Sequence, residues 1–204
     1  LAGGVPTWAA PAGGGATDLD GLTDAKVFDS SDGAASANYN AFISNGATSG
    51  AACVTGTLSG THRWNYAFGA NALNSLTSGN GNVGIGFNTL QAVNSGGSNI
   101  AIGVSAGESL TTQGSNIMMG YNCGYGNTGS SSILIGTNVA KTSSASNNTC
   151  VGYNAGTVLA AGSHNAFFGT GAGSTMTSGS NNVIVGRDSQ GLITGGNQIV
   201  IGES

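Results

Sequence analysis

Apolar and polar positions alternate over five residues in this chain, and the alternation returns at a nearly fixed distance. The phrase Asn-apolar-x-apolar-Gly stands at Asn65-Tyr66-Ala67-Phe68-Gly69, then at Asn82-Val83-Gly84-Ile85-Gly86, Asn99-Ile100-Ala101-Ile102-Gly103 and Asn116-Ile117-Met118-Met119-Gly120. Ser132-Ile133-Leu134-Ile135-Gly136 replaces the Asn, and the phrases ending at Gly152, Gly169 and Gly186 restore it. Gln198-Ile199-Val200-Ile201-Gly202 closes the series. The closing glycines, at 69, 86, 103, 120, 136, 152, 169, 186 and 202, lie 17, 17, 17, 16, 16, 17, 17 and 16 residues apart. A period this regular predicts a solenoid, each repeat being one coil.

Within a phrase, apolar residues two apart predict a short strand with both side chains on one face. The residue just before each Gly (Phe68, Ile85, Ile102, Met119, Ile135, Val151, Phe168, Val185, Ile201) is never polar. That column is expected in a continuous core, where each side chain contributes roughly 1.5–3 kcal/mol once buried. Seven residues after the Gly a weaker apolar column reads Leu76, Val93, Leu110, Asn127, Ser143, Leu159, Met176 and Ile193. It is expected to form a second short strand along the opposite wall. Small residues follow three after the Gly, as at Ala72, Ala106, Cys123 and Ala155, and turns such as Thr77-Ser78-Gly79 complete the coil. Nine strands stacked at ~4.8 Å give a column about 40 Å tall. The Asn column allows two readings, a ladder of side-chain amides along the stack or a plain turn former. Turn chemistry alone would accept Asp or Gly as readily, which favours the ladder.

The residue two before each Gly points the other way by the same alternation. It reads Ala67, Gly84, Ala101, Met118, Leu134, Cys150, Phe167, Ile184 and Val200, all apolar or Gly. An outward apolar stripe needs a cover, and a second copy of the chain is the simplest one. Ala101, Met118, Leu134, Phe167, Ile184 and Val200 are therefore expected at the interface of a parallel homotrimer. The alternative is a monomer that covers the stripe with its own N-terminal segment.

Composition narrows the function. Only 6% of residues are charged, against about 25% in typical soluble domains. Of the 204 residues 38 are Gly, and the net charge is −4. With Lys26, Arg63, Lys141 and Arg187 as the only cations, no basic patch for nucleic acid is expected. No apolar run approaches the ~20 residues of a membrane helix. Residues 1–17 read as an extended linker, 18–64 as an irregular β cap in which Asn40–Ile43 and Gly56–Gly60 are candidate strands, and 65–204 as the solenoid. The start at Leu1 without Met reads as a cut. The edge after Gly202 is expected to be covered by a further domain or by trimer contacts. Asp18-Leu19-Asp20-Gly21 superficially matches a calcium loop but lacks its later acceptors and closing Glu. Cys53, Cys123 and Cys150 form no CxxC pair, and the latter two read as small buried residues. No metal or cofactor is expected.

Catalysis is not expected either. His62 and His164 lie on different levels, and the solenoid holds only Glu108, Asp188 and Glu203 as carboxylates, none paired in a column. Binding has better candidates. The residue after the Gly is Phe87, Tyr121 and Tyr153 on alternate coils, with Arg187 at the end of the row. Rings ~10 Å apart could stack on sugar rings of a surface glycan. They could equally pack over a corner or fill a groove between subunits.

The phrases GSNNVIVG, GNGNVGIG and GSNIAIG resemble repeats of bacteriophage tail fibres, and LAGGVPTWA followed by DLDGLTD resembles a segment common in such fibres. The head β-roll of bacterial trimeric autotransporter adhesins is similar too, although its repeats are shorter. Both resemblances imply an obligate homotrimer, an extracellular place on a virion or cell surface, and adhesion to a host-surface glycan or protein. Neither implies a catalytic residue in this chain. The expected function is thus a structural and host-recognition segment of a trimeric tail fibre. A bacterial adhesin head is the alternative. An ice-binding solenoid lacks its Thr column here, and a polysaccharide depolymerase lacks its carboxylates.

Overall fold

Each phrase forms one strand, and the strands stack in sequence order. The computed structural model describes residues 25–28, 40–43, 63–192 and 194–202. The strands are β1 (Ala25–Phe28), β2 (Asn40–Ile43), β3 (Tyr66–Phe68), β4 (Val83–Ile85), β5 (Ile100–Ile102), β6 (Ile117–Met119), β7 (Ile133–Ile135), β8 (Thr149–Val151), β9 (Ala166–Phe168), β10 (Val183–Val185) and β11 (Ile199–Ile201). They make one sheet in the order β1 to β11. β1 and β2 pair antiparallel, and β2 joins β3 in parallel. From β3 on, every pairing is parallel and phrase lies on phrase, so that Tyr66 faces Val83 and Ile117 faces Ile133. The protein is an all-β parallel solenoid with coils of 16 or 17 residues, and no helix occurs among the described residues. The expected strand at Asn40–Ile43 is β2. Residues 1–17, 18–24 and 56–60, with Cys53 and His62, lie outside the described residues.

The closing glycine turns the chain off the sheet. Gly86 has φ 129°, and a Cβ there would sit 2.8 Å from the carbonyl oxygen of Gly103 on the next coil. A side chain is excluded twice, by conformation and by the close rung above.

Two expectations are corrected. The first is the second strand. The column seven after the Gly is buried, from Leu76 to Met176, yet it lies in turns; outside the named strands the described residues contain one isolated bridge, Ala161 to Ser178. The cause is the run after each Gly, where left-handed residues recur two apart, as at Asn71 (φ 58°) and Leu73 (φ 53°). Such residues break extension. Coils still bond to one another there, for example Leu73 N–H to Thr89 O at 3.0 Å and Ser75 N–H to Gln91 O at 3.0 Å.

The second correction reverses the faces of the strand. The residue before the Gly points out, and the residue two before it points in. Phe167 is 0% exposed and its neighbour Phe168 is 41% exposed. Ala101, Met118, Leu134 and Ile184 are likewise buried within the single chain, and Val200 is partly buried against the same core. The five buried ones are core residues and present no side-chain surface to a second copy. The Asn column shares their parity and is inside as well.

On four coils inward side chains are matched in volume. On the coils of Ala67 and Gly84 a leucine fills the interior from four after the Gly, at Leu73 and Leu90. On those of Met118 and Phe167 the same position is glycine, while Ala101 with Gly107, Leu134 with Ala140 and Ile184 with Gln190 do not follow the exchange. Cβ atoms added at Gly124 and Gly173 would collide with Met118 and Phe167. These four thin coils thus keep close packing by trading volume between their two walls.

The asparagines form the ladder. Nδ2 of Asn82 donates to Oδ1 of Asn65 at 3.1 Å, Asn99 to Asn82 at 3.0 Å and Asn116 to Asn99 at 3.1 Å. The second Nδ2 hydrogen reaches a turn carbonyl of the same coil, as from Asn82 to Gly96 O at 2.9 Å. Each Oδ1 also takes the backbone N–H of the next Asn. The amides of Asn82, Asn99 and Asn116 are therefore fully used, whereas the buried Nδ2 of Asn127, off the ladder, has no hydrogen-bond partner. Ser132 continues the backbone link, with its Oγ accepting from Asn148 N–H at 3.2 Å, and the amide ladder resumes from Asn165 to Asn148 at 3.1 Å.

Two of the coils one residue short are closed by side chains. Asn127 and Ser143 replace the leucine column on the coils ending at Gly136 and Gly152. Asn127 Oδ1 accepts from Gly129 N–H at 2.9 Å, and Ser143 Oγ accepts from Ala145 N–H at 3.2 Å. Each side chain stands in for the backbone turn that a deletion shortened.

Candidate functional site

Reversing the strand faces exposes a different surface. The outward positions of β3 to β11 hold Tyr66, Val83, Ile100, Ile117, Ile133, Thr149, Ala166, Val183 and Ile199 in one column and Phe68 through Ile201 in the other. No charge interrupts either column, and Thr149 and the Tyr66 phenol are its only polar groups. Ile85, Met119, Ile135 and Phe168 are each 37–41% exposed, and Ile201 on the last rung 77%. Among the described residues nothing covers this apolar sheet face, which is eight strand spacings or about 40 Å tall.

Beyond the glycine corner lies the row of expected binding residues. Phe87, Tyr121 and Tyr153 are about half exposed, so these rings are not folded into the chain's own core. Arg187 is exposed on the last coil of the row. Of the four, Tyr153 lines a concave site.

That site is a notch of about 270 Å³ lined by Tyr153, Asn154, Thr157, Val158, Thr170, Gly171, Ser174 and Asp188. All lie one to six residues after a closing glycine, on the flank and off the sheet face. Its origin is a missing side chain. The second residue after the Gly is Asn71, Asn88, Ser105, Asn122, Asn138, Asn154, Gly171 and Asp188 on successive coils. Where two side chains meet in this column they can bond, as Asn71 Nδ2 does to Asn88 Oδ1 at 3.0 Å. At Gly171 the column is interrupted, and the Asp188 carboxylate leans over the gap, where a Cβ would touch its Oδ1. Thr157 Oγ1 donates to Asn154 O at 2.6 Å, and Ser174 Oγ accepts from Gln190 Nε2 at 3.1 Å. Sequence reasoning missed Gly171 because one glycine among 38 draws no notice. Its signal was the gap in an otherwise polar column.

His164 and the two described cysteines lie outside the notch. His164 is exposed with φ 62°, directly before Asn165; Ser98, Ser115, Asn147 and Asn181 hold the same turn position with φ near 60°. Cys123 and Cys150 are free buried thiols. Burial pushes both up to about 12, with Cys123 adding to the rise at Cys150, while backbone hydrogen bonds lower Cys123 somewhat. The Cys123 thiol donates to Leu134 O at 3.1 Å. They are packing residues and poor nucleophiles. Among the described residues no group of three or more His, Cys, Asp or Glu could hold a metal ion. Among the same residues no helix is long and apolar enough to cross a membrane.

No protein-family model matches the chain, and no curated protein or solved structure matches it.

Proposed function

We propose that this chain is a structural and host-recognition segment of a trimeric bacteriophage tail fibre. The observation that supports it is the uncovered apolar sheet face. Eleven of the eighteen outward side chains are 37–77% exposed, and at on the order of 60–100 Å² each they show water roughly 700–1,000 Å² per copy, near the ~800 Å² per partner of a stable interface. Lone soluble chains rarely expose a contiguous patch of that size. The interface therefore consists of the outward columns, with Ile100, Met119, Ile135 and Phe168 among them, and leaves the inner column to the core.

The number three comes from the resemblance to fibre repeats. The physical role is mechanical. Backbone bonds and the amide ladder stiffen each column along its axis, and association removes the apolar face from water. Three copies of one flank then face outward, so weak contacts to repeated surface ligands add as avidity. The purified protein should compete with phage particles for adsorption to bacterial cells. Unhindered adsorption across a panel of strains, at protein concentrations far above the particle concentration, would contradict the attachment role.

A further inference from the structure

We propose that the notch over Gly171 is a binding site for one neutral hexose ring of a surface glycan. The biological use of the site rests on the attachment role above; the site itself rests on geometry. Gly171 has φ 67°, in the left-handed region that Asn71, Asn88 and Asn154 occupy on their coils at 57–58°. Its backbone conformation therefore suits asparagine, which most of the other coils carry. What the glycine provides is room for the Asp188 carboxylate, whose Oδ1 lies over Gly171 where a Cβ would collide with it. The carboxylate and Asn154 line one hollow of about 270 Å³. That is the low end of ligand sites and suits a single ring.

The lining matches a polyol. The Asp188 carboxylate offers two acceptors for adjacent hydroxyls, and the Asn154 amide offers a donor and an acceptor. Thr157, Thr170 and Ser174 add hydroxyls at the sides. The half-exposed Tyr153 ring supplies a flat apolar wall for the C–H face of a sugar. No Lys, Arg or His lines the notch, and one carboxylate does, so a neutral sugar fits and an acidic one is repelled.

Saturation-transfer NMR on the whole chain tests this with glucose, galactose, mannose and N-acetylglucosamine, and with sialic acid as the acidic comparator. The decisive variant is Gly171→Asn, whose Cβ would displace the Asp188 carboxylate and whose amide would take its place in the hollow. Asp188→Asn and Tyr153→Ala are the companions, and all three should melt like the parent. Transfer from at least one neutral sugar, with Kd raised about tenfold or more in Gly171→Asn and Tyr153→Ala, is expected. No transfer from the four neutral sugars, equal transfer in Gly171→Asn, or transfer from sialic acid alone would overturn the proposal. Particle mass is measured on the same samples. Trimers without transfer refute the notch alone; single chains with Gly171-dependent transfer refute the fibre assembly and leave the notch standing.

Discussion

Asn99 sits in the unbroken part of the amide ladder, and replacing it with alanine removes four contacts at once. Its Nδ2 donates to Asn82 Oδ1 and to Gln113 O, both at 3.0 Å. Its Oδ1 accepts from the backbone N–H and the Nδ2 of Asn116, both at 3.1 Å. Asn82 Oδ1 keeps the backbone N–H of residue 99, so it is not orphaned. The two Asn116 donors and Gln113 O lose their partners. At about 1–3 kcal/mol for each unsatisfied buried group, Asn99→Ala costs on the order of 5 kcal/mol. In urea this lowers the midpoint by about 2 M, read by far-UV circular dichroism. Asn99→Ser should cost less, because a serine Oγ can hold the next backbone N–H as Ser132 does for Asn148. Asn99→Asp supplies acceptors to Asn116 but sets an anion against two carbonyl oxygens. It should be destabilised at neutral pH and partly recover in acid, where a protonated carboxyl can donate. If Asn99→Ala stays within about 1 kcal/mol of the parent, the asparagines are turn formers and the ladder reasoning fails.

Three further outcomes follow from the same packing. Phe167→Ala should cost about 3–5 kcal/mol in urea unfolding, since the ring is buried between glycines and the two neighbouring coils cannot collapse into the void. Gly86→Ala should cost about 3 kcal/mol or more, whereas Gly81→Ala should cost about 1 kcal/mol, because its φ of 69° suits a left-handed residue and the nearest atom to an added Cβ is 3.7 Å away. Cys123 and Cys150 rise from the usual 9.0 to about 12 in the folded chain. Above pH 9 the unfolded thiols ionise and the folded ones do not, so unfolding releases protons and stability falls as pH rises. The loss is about 1.4 kcal/mol per thiol per pH unit between about 9 and 12; a Cys123→Ala, Cys150→Ala double variant should show a shallower fall, and an equal one would contradict it.

The coil length, the strand positions and the ladder were legible in the sequence because each repeats as a residue identity. The facing of the strands was not. Alternation separates Phe167 from Phe168, but both columns are apolar, so the pattern alone cannot say which is inside. The deciding signal lay elsewhere in the coil. Leu73 and Leu90 accompany Ala67 and Gly84, while Gly124 and Gly173 accompany Met118 and Phe167. On these four coils the two positions exchange volume as side chains sharing one interior do, whereas Ala101 with Gly107 and Ile184 with Gln190 show no exchange. Asn127 and Ser143 misled in another way. They interrupt an apolar column, yet they mark shortened turns and not a change of face. The notch on the flank was half legible. Tyr153 stands out as an exposed aromatic, whereas Gly171 acts by having no side chain.

Sedimentation equilibrium of the parent and of Ile135→Lys tests the exposed sheet face most directly. Ile135 is 37% exposed on the single chain, so a lysine there is harmless to a lone coil and harmful only where another copy covers it. A parent mass near three times 19.7 kDa that falls toward one chain in Ile135→Lys is the predicted result. A parent of 19.7 kDa, unchanged by the substitution, would contradict the account.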